Sequence, residues 1–223
     1  MIVSASASAR LAEILAGLGA VHVAAEQPFF YTSGWASPVY VDARVLMSDV
    51  AARTEAMNLA ARELRELAQR QAFNVVVGVE NSGIAFAAWL AERLGLPLSY
   101  LRKRPIGWGS RAQVEGRLPQ AARALLVDDV TTDGLSKIAA ATALRQTGAR
   151  VEDVLVFLEF DLYPETGDRF AAQGLALHAL TNWADLHAAL AARGRLSAAQ
   201  EEMLAAFDAD PVRWSIEHGG VGA

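Results

Sequence analysis

The chain has 223 residues, 53% hydrophobic and 20% charged, which excludes a disordered polymer and suffices for one domain with a buried core. It contains no cysteine, so disulfides, thiol catalysis and cysteine-ligated metals are excluded, and a reducing compartment fits. A formal net charge of −5 gives no bulk attraction to nucleic acid, and no run of about 18 apolar residues is present to cross a membrane.

The opening MIVSASASARLAEIL lacks a basic segment ahead of an apolar one, so no signal peptide is expected and the protein reads as cytoplasmic. The spacing of Leu11, Ile14, Leu15 and Leu18 predicts a helix over 8–18. Residues 29–42 are strand-like but broken by Gly34 and Pro38, the pattern of a hairpin or small β-hood. An amphipathic helix is expected over 49–68, with Met57, Ala60, Leu64 and Leu67 in one stripe. NVVVG at 74–78 is a β-branched run suited to a buried parallel strand. A helix over 84–94 closed by Gly95, a strand over 98–101, a basic loop and a strand over 124–127 come next. The remaining expectations are a helix over 136–147 stopped by Gly148, strands over 154–160 and 175–180, and helices over 185–192 and 198–207. This alternation, with no repeat or low-complexity linker, predicts an α/β fold built on a doubly wound, mostly parallel sheet with helices on both faces.

Such sheets bind ligands beyond the carboxyl ends of their strands, which selects the loops 79–83, 102–116 and 128–136. The second loop runs from Arg102-Lys103-Arg104 to Arg111 and includes Pro105, Gly107 and Gly109. A basic patch in an acidic protein suits a small polyanion better than a polymer, although a solvated loop with no role has the same composition. The third loop belongs to ALLVDDVTTDGLSK, residues 124–137. An apolar strand that runs into Asp128 and Asp129 is costly unless ribose hydroxyls or hydrated Mg²⁺ engage the acids. Thr131, Thr132, Gly134 and Ser136 then offer hydroxyls and backbone N–H groups where a helix starts, which makes a phosphate cradle. Two acids alone are ordinary at a strand end, but acids for a sugar beside donors for a phosphate describe a sugar-phosphate site. GVENSG at 78–83 has P-loop glycine spacing, yet Ile84 and Ala85 stand where Lys and Ser/Thr would be needed, and no G-x-G-x-x-G occurs.

VDDVTTDGLS resembles the phosphoribosyl-diphosphate (PRPP) segment of type I phosphoribosyltransferases, two acids followed by T-x-G-x-S/T. Other stretches resemble the orotate phosphoribosyltransferase family in order and spacing: TSGWASPVYVDAR (32–44) its hood segment, GVENSGIAFAAWLA (78–91) its diphosphate-side loop and helix, and YLRKRPIGWG (100–109) its mobile basic loop. The resemblance spans about residues 26–160 and implies the type I phosphoribosyltransferase fold in one domain. A hood would come from about 20–48 and the C-terminal segment, over a core of about 49–182. It further implies Mg²⁺-dependent transfer of phosphoribosyl from PRPP to orotate, giving orotidine 5′-phosphate and diphosphate.

Carried onto this chain, Asp128 and Asp129 would hold the ribose hydroxyls and, through them or water, the Mg²⁺. Val130, Thr131, Thr132, Asp133, Gly134, Leu135 and Ser136 would hold the 5′-phosphate. Thr32, Tyr40, Val41, Asn81, Ser82 and Thr132 would adjoin the base, and Arg102 and Lys103 the diphosphate, in the neighbouring subunit's site of a homodimer. The chain departs from the family pattern at several cationic positions. Thr32 and Ser82 stand where the family has lysines, and Ile106 and Trp108 replace a loop lysine and histidine. EFDLYPE after the 154–160 strand lacks the arginine that pairs with the orotate carboxylate. These losses leave two alternatives, a different acceptor base or a PRPP-binding protein without turnover. His22, His178, His187 and His218 are expected to be structural or surface groups, Trp183 and Trp214 packing residues, and Asp161, Glu165 and Asp168 a solvated acidic turn. Trp35 and Trp108 could equally stack on a base or cover the site.

Overall fold

The computed structural model describes residues 3–25, 27–31, 33–105, 113–163 and 165–222. Ser4 caps the first helix, α1 (Ala5–Gly17), which buries Leu11, Ile14 and Leu15. Four short strands then form two antiparallel ribbons: β1 (Val21–Val23) pairs with β4 (Val39–Val41), and β2 (Phe29–Phe30) with β3 (Ala36–Ser37). A 3₁₀ turn over Ala43–Met47 leads to α2 (Val50–Glu63) and α3 (Arg65–Gln69). The single helix expected over 49–68 is thus split at Leu64, which is buried, whereas α3 buries nothing that would hold it in line.

The core alternates β5 (Val75–Val79), α4 (Ser82–Leu94), β6 (Leu98–Leu101), β7 (Val114–Glu115), β8 (Arg123–Thr131), α5 (Leu135–Arg145), β9 (Arg150–Glu159), α6 (Thr166–Ala172) and β10 (Ala176–Asn182). The helices α7 (Trp183–Ala192), α8 (Ala198–Ala209) and α9 (Pro211–Glu217) follow. The sheet order is β10-β9-β8-β5-β6-β7, parallel throughout except for β7 at the edge. The doubly wound sheet expected from the alternation is present. Because β5 leads outward to β6 while β8 leads the other way to β9, the winding reverses between β5 and β8, and a crevice opens at their carboxyl ends.

Alternate residues of the strands feed two cores. Val76, Leu125, Val127 and Leu155 join the larger one with α1, α2, α4 and α7. Val75, Val77, Leu126 and Val154 join the smaller one under α5 and α6. The hood is continuous with the larger core through Trp35, Val39 and Val41. Its β3 is tied to α9 by Ala36 N–H donating to Ser215 Oγ at 3.0 Å, and Ser215 Oγ–H donates to Val221 O at 2.7 Å. No helix among the described residues is long and apolar enough to cross a membrane.

Three differences from the sequence expectation bear on the site. Strand β8 does not stop at Val127 but stays paired with β9 through Thr131, so both acids lie within the strand. Of the expected acidic turn, Asp161 lies in an exposed turn, but Glu165 is the N-cap of α6 and Asp168 lies in its first turn, and Phe170 of that helix is buried. Trp35 is buried and packs edge-on against Tyr163 at 4.8 Å, which makes it a core residue.

The first turn of α4 lies directly on β8. A Cβ at Gly83 would sit 2.2 Å from Val127 O, a contact that only glycine permits. Gly83→Ala is therefore expected to push α4 off the sheet, at a cost on the order of 3 kcal/mol or a Tm loss of roughly 6–12 °C, measured by thermal unfolding.

Candidate active site

Successive side chains of a strand point to opposite faces, and this separates the two adjacent acids. Asp128 projects toward α5, where the Lys137 ammonium lies 2.7 Å from its Oδ2. Asp129 faces the cavity beneath the hood. Burial raises the Asp128 pKa to about 6, the Lys137 charge opposes that rise, and the Asp129 charge adds to it. Asp128 Oδ1 also accepts the Asp129 N–H at 3.0 Å, and Asp129 Oδ1 accepts the Val130 N–H at 2.9 Å.

Beyond β8 the chain turns at Asp133, whose Oδ1 accepts the Leu135 N–H at 3.2 Å. Gly134 follows at φ 77°, and a Cβ there would meet the Phe170 ring at 2.4 Å. Both the left-handed backbone and the close ring call for glycine. Helix α6 braces this turn from behind, since Thr166 Oγ1–H donates to Thr132 O at 3.2 Å and Arg169 Nη1 to Asp133 O at 3.4 Å. The turn delivers the N-terminus of α5, with its oriented N–H groups, to the cavity, an arrangement that favours an anion.

Two chambers flank this strand end. The first, about 610 Å³, has aromatic walls from Phe30, Tyr31, Tyr40 and Phe160 and a floor of Asp129, Val130, Thr132, Asp133, Leu135 and Ser136. Arg44 also lines it, held by Asp42 (Nε to Oδ1, 2.6 Å; Nη2 to Oδ2, 2.9 Å) and donating from Nη2 to the Tyr40 hydroxyl at 2.9 Å. The second, about 470 Å³, is walled by Glu80, Asn81, Ser82, Arg102 and Lys103 together with Asp128. Asp129, Ser136 and Lys137 line both and form the ridge between them. Arg102 is committed to Glu115, with Nε and Nη2 each 2.8 Å from Oε1, and the Lys103 N–H donates to Glu80 Oε2 at 2.8 Å.

Most residues picked out from the sequence meet at this ridge. Tyr40 and Val41 line the first chamber, and Asn81, Ser82, Arg102 and Lys103 line the second. Thr131 is set apart: its side chain is buried and lines neither chamber, and its hydroxyl has no partner. Thr32, Ile106, Gly107, Trp108, Gly109 and Arg111 lie outside the described residues. The sequence reading missed Arg44, Lys137, Phe30, Tyr31 and Phe160. One signal was available for Lys137. The chain has 18 arginines but only two lysines, Lys103 and Lys137, and both line the second chamber. The histidines His178 and His187 pair with Asp153 at 2.7 Å and with Asp208 at 2.9 Å, and neither lines a chamber.

Among the described residues no cluster of three or more His, Cys, Asp or Glu side chains forms a cage for a metal. Asp128 and Asp129 nevertheless suit Mg²⁺, which takes one or two protein carboxylates and draws its other oxygens from water and a phosphorylated ligand.

A phosphoribosyl transferase domain model matches residues 50–159. The chain is 40% identical over 212 residues to the orotate phosphoribosyltransferase of Jannaschia sp. (strain CCS1), covering 95% of this chain and 93% of that protein. It is equally 40% identical over 223 residues to the orotate phosphoribosyltransferase of Sinorhizobium medicae (strain WSM419), covering 96% and 92%. Its fold is similar to the crystal structure of orotate phosphoribosyltransferase from Aeropyrum pernix, with a TM-score of 0.69 at 33% identity over 84% of this chain and 99% of that one.

The raised Asp128 pKa has a direct spectroscopic consequence. In ¹³C-aspartate-labelled protein one carboxyl resonance should titrate near pH 6, protonated below and ionised above, and Asp128→Asn should delete it. A spectrum in which every aspartate titrates near its ordinary value of about 4 would contradict the burial of Asp128.

Proposed function

The chain belongs to the orotate phosphoribosyltransferase family, and on that premise we propose that it converts orotate and PRPP to orotidine 5′-phosphate and diphosphate, with Mg²⁺, in cytoplasmic pyrimidine nucleotide synthesis. The observation that carries the reading is β8 running through Asp128 and Asp129 into an anion-binding helix terminus, between an aromatic chamber and a cationic one.

In this reading the 5′-phosphate takes the N–H groups and hydroxyls of the Thr132–Ser136 turn, and the ribose hydroxyls donate to Asp128 and Asp129. The diphosphate lies over Asn81, Ser82, Arg102 and Lys103. Orotate packs against Tyr40 and Val41 in the aromatic chamber. Held this way, N1 of orotate bonds to C1′ as its proton passes to water and the C1′–O bond to diphosphate breaks, the bonding pair leaving on the diphosphate oxygen. Positive charge develops on the ribose ring, and the two carboxylates beneath it are fixed in place beforehand. Mg²⁺ held with the substrate's oxygens at Asp128 and Asp129 would supply charge neutralisation for the leaving group. The protein acts as a homodimer in this reading.

Arg44 supports an anionic base although the arginine after β9 is missing. It is the one cation at the hood end of the aromatic chamber among the described lining residues, where an anionic base needs a counter-charge. Its pairing with Asp42 and Tyr40 holds the guanidinium in one orientation while the side chain stays 48% exposed. Arg44 therefore favours a carboxylated base over a neutral one.

Loss of orotate absorbance on mixing with PRPP and Mg²⁺ tests the reading. Turnover is expected in the unaltered protein and should fall by on the order of 10²–10³ or more in Asp128→Asn/Asp129→Asn. Binding of PRPP without turnover would overturn the orotate assignment. Arg44→Ala should raise the KM for orotate by roughly 10- to 100-fold, the worth of one charge-assisted hydrogen bond, while leaving the KM for PRPP nearly unchanged.

A further inference from the structure

Lys137 occupies a position that folding alone disfavours. It is the third residue of α5, where the positive end of the helix dipole repels a cation. Its side chain is 8% exposed, and a buried ammonium is costly without a partner. Asp128 supplies that partner at 2.7 Å, and Nζ also donates to Ser136 Oγ at 3.2 Å. A hydrophobic residue would pack this helix turn at less cost, so the lysine points to a task beyond stability.

The charge balance of the second chamber indicates the task. Three carboxylates, Glu80, Asp128 and Asp129, line it, matched by three cations, Arg102, Lys103 and Lys137. Arg102 pairs with Glu115, which does not line the chamber, and Lys137 pairs with Asp128, which does. Without Lys137 the described wall of the chamber would be net negative and would repel a diphosphate. Of the 20 lysine and arginine positions of the chain, all but Lys103 and Lys137 are arginines. A lysine ammonium is a compact point charge with three donors, so it can keep Asp128 and still donate to another oxygen.

We infer that Lys137 is a catalytic residue of the transfer: its Nζ, anchored by Asp128, donates to the departing diphosphate from the ridge between the chambers. The inference rests on the transferase reading above. The ammonium keeps its protons throughout, and its charge faces the oxygen on which the bonding pair of the broken C1′–O bond arrives.

Calorimetric titration of inorganic diphosphate with Mg²⁺, and separately of ribose 5-phosphate, distinguishes this role from that of a mere counter-ion. Lys137→Gln, which keeps a donor to Asp128 but loses the charge, should weaken diphosphate binding by roughly 10- to 100-fold and change ribose 5-phosphate binding by less than about threefold. Lys137→Arg should restore most of the diphosphate affinity. Equal weakening of both ligands, or no weakening of diphosphate, would overturn the inference. Should Lys137→Gln fail to fold, ¹⁵N-lysine labelling of the unaltered protein still decides, because only two side-chain signals exist and Lys103→Arg assigns them. Diphosphate with Mg²⁺ must shift the Lys137 signal, and an unmoved signal rejects the contact. An unaltered protein that binds neither ligand would instead sink the transferase reading itself.

Discussion

Two adjacent carboxylates within a buried parallel strand are the constraint around which this molecule is arranged. Left bare, Asp128 and Asp129 would repel one another at the end of an apolar strand with little water to screen them. The pleat separates them onto opposite faces: Asp128 meets Lys137 of α5 at 2.7 Å, while Asp129 opens to the chamber that Arg44 of the hood also lines. Lys137 reaches Asp128 across the turn that joins β8 to α5, and Arg44 comes from the distant hood segment. The arrangement therefore ties the hood, the central strand and α5 into one electrostatic unit.

Close packing keeps that unit in place. Gly83 lets α4 rest against the backbone of β8, which brings the loop with Asn81 and Ser82 alongside Asp128. Gly134 allows Phe170 to press on the turn before α5, so a helix remote from the chambers fixes the aim of the anion-binding N–H groups. The hood is held separately, through Ser215 and Val221 of the C-terminal segment, and carries Tyr40 and Arg44 over the first chamber. The paired acids and the turn into α5 thus belong to the sheet, and Tyr40 and Arg44 to the hood.

The sheet and the phosphate turn were legible because their signals are local. NVVVG, LVFLEF and the glycines at 95 and 148 mark strands and helix ends whatever surrounds them. The helix α6 was not legible in the same way: TGDRFAA is short and polar, and its one buried aromatic, Phe170, has meaning only against Gly134. The hood strands are two or three residues long, too short for a period of two to declare itself. Trp35 fell between two readings because a tryptophan in a loop is placed by its neighbours, here Tyr163 from beyond β9.

By itself the sequence determined the alternating parallel architecture, the acids on the central strand and the glycine-bearing turn into α5, since each is written in a few consecutive residues. Only the tertiary structure decided that β8 continues through both acids, because ladder pairing with β9 and not strand propensity sets where that strand ends. It also decided which cations serve the site. Counting family positions in the sequence reports lost lysines and a lost arginine, whereas charge acts through distance. The fold brings Lys137 to 2.7 Å from Asp128 and sets Arg44 in the chamber that Asp129 lines.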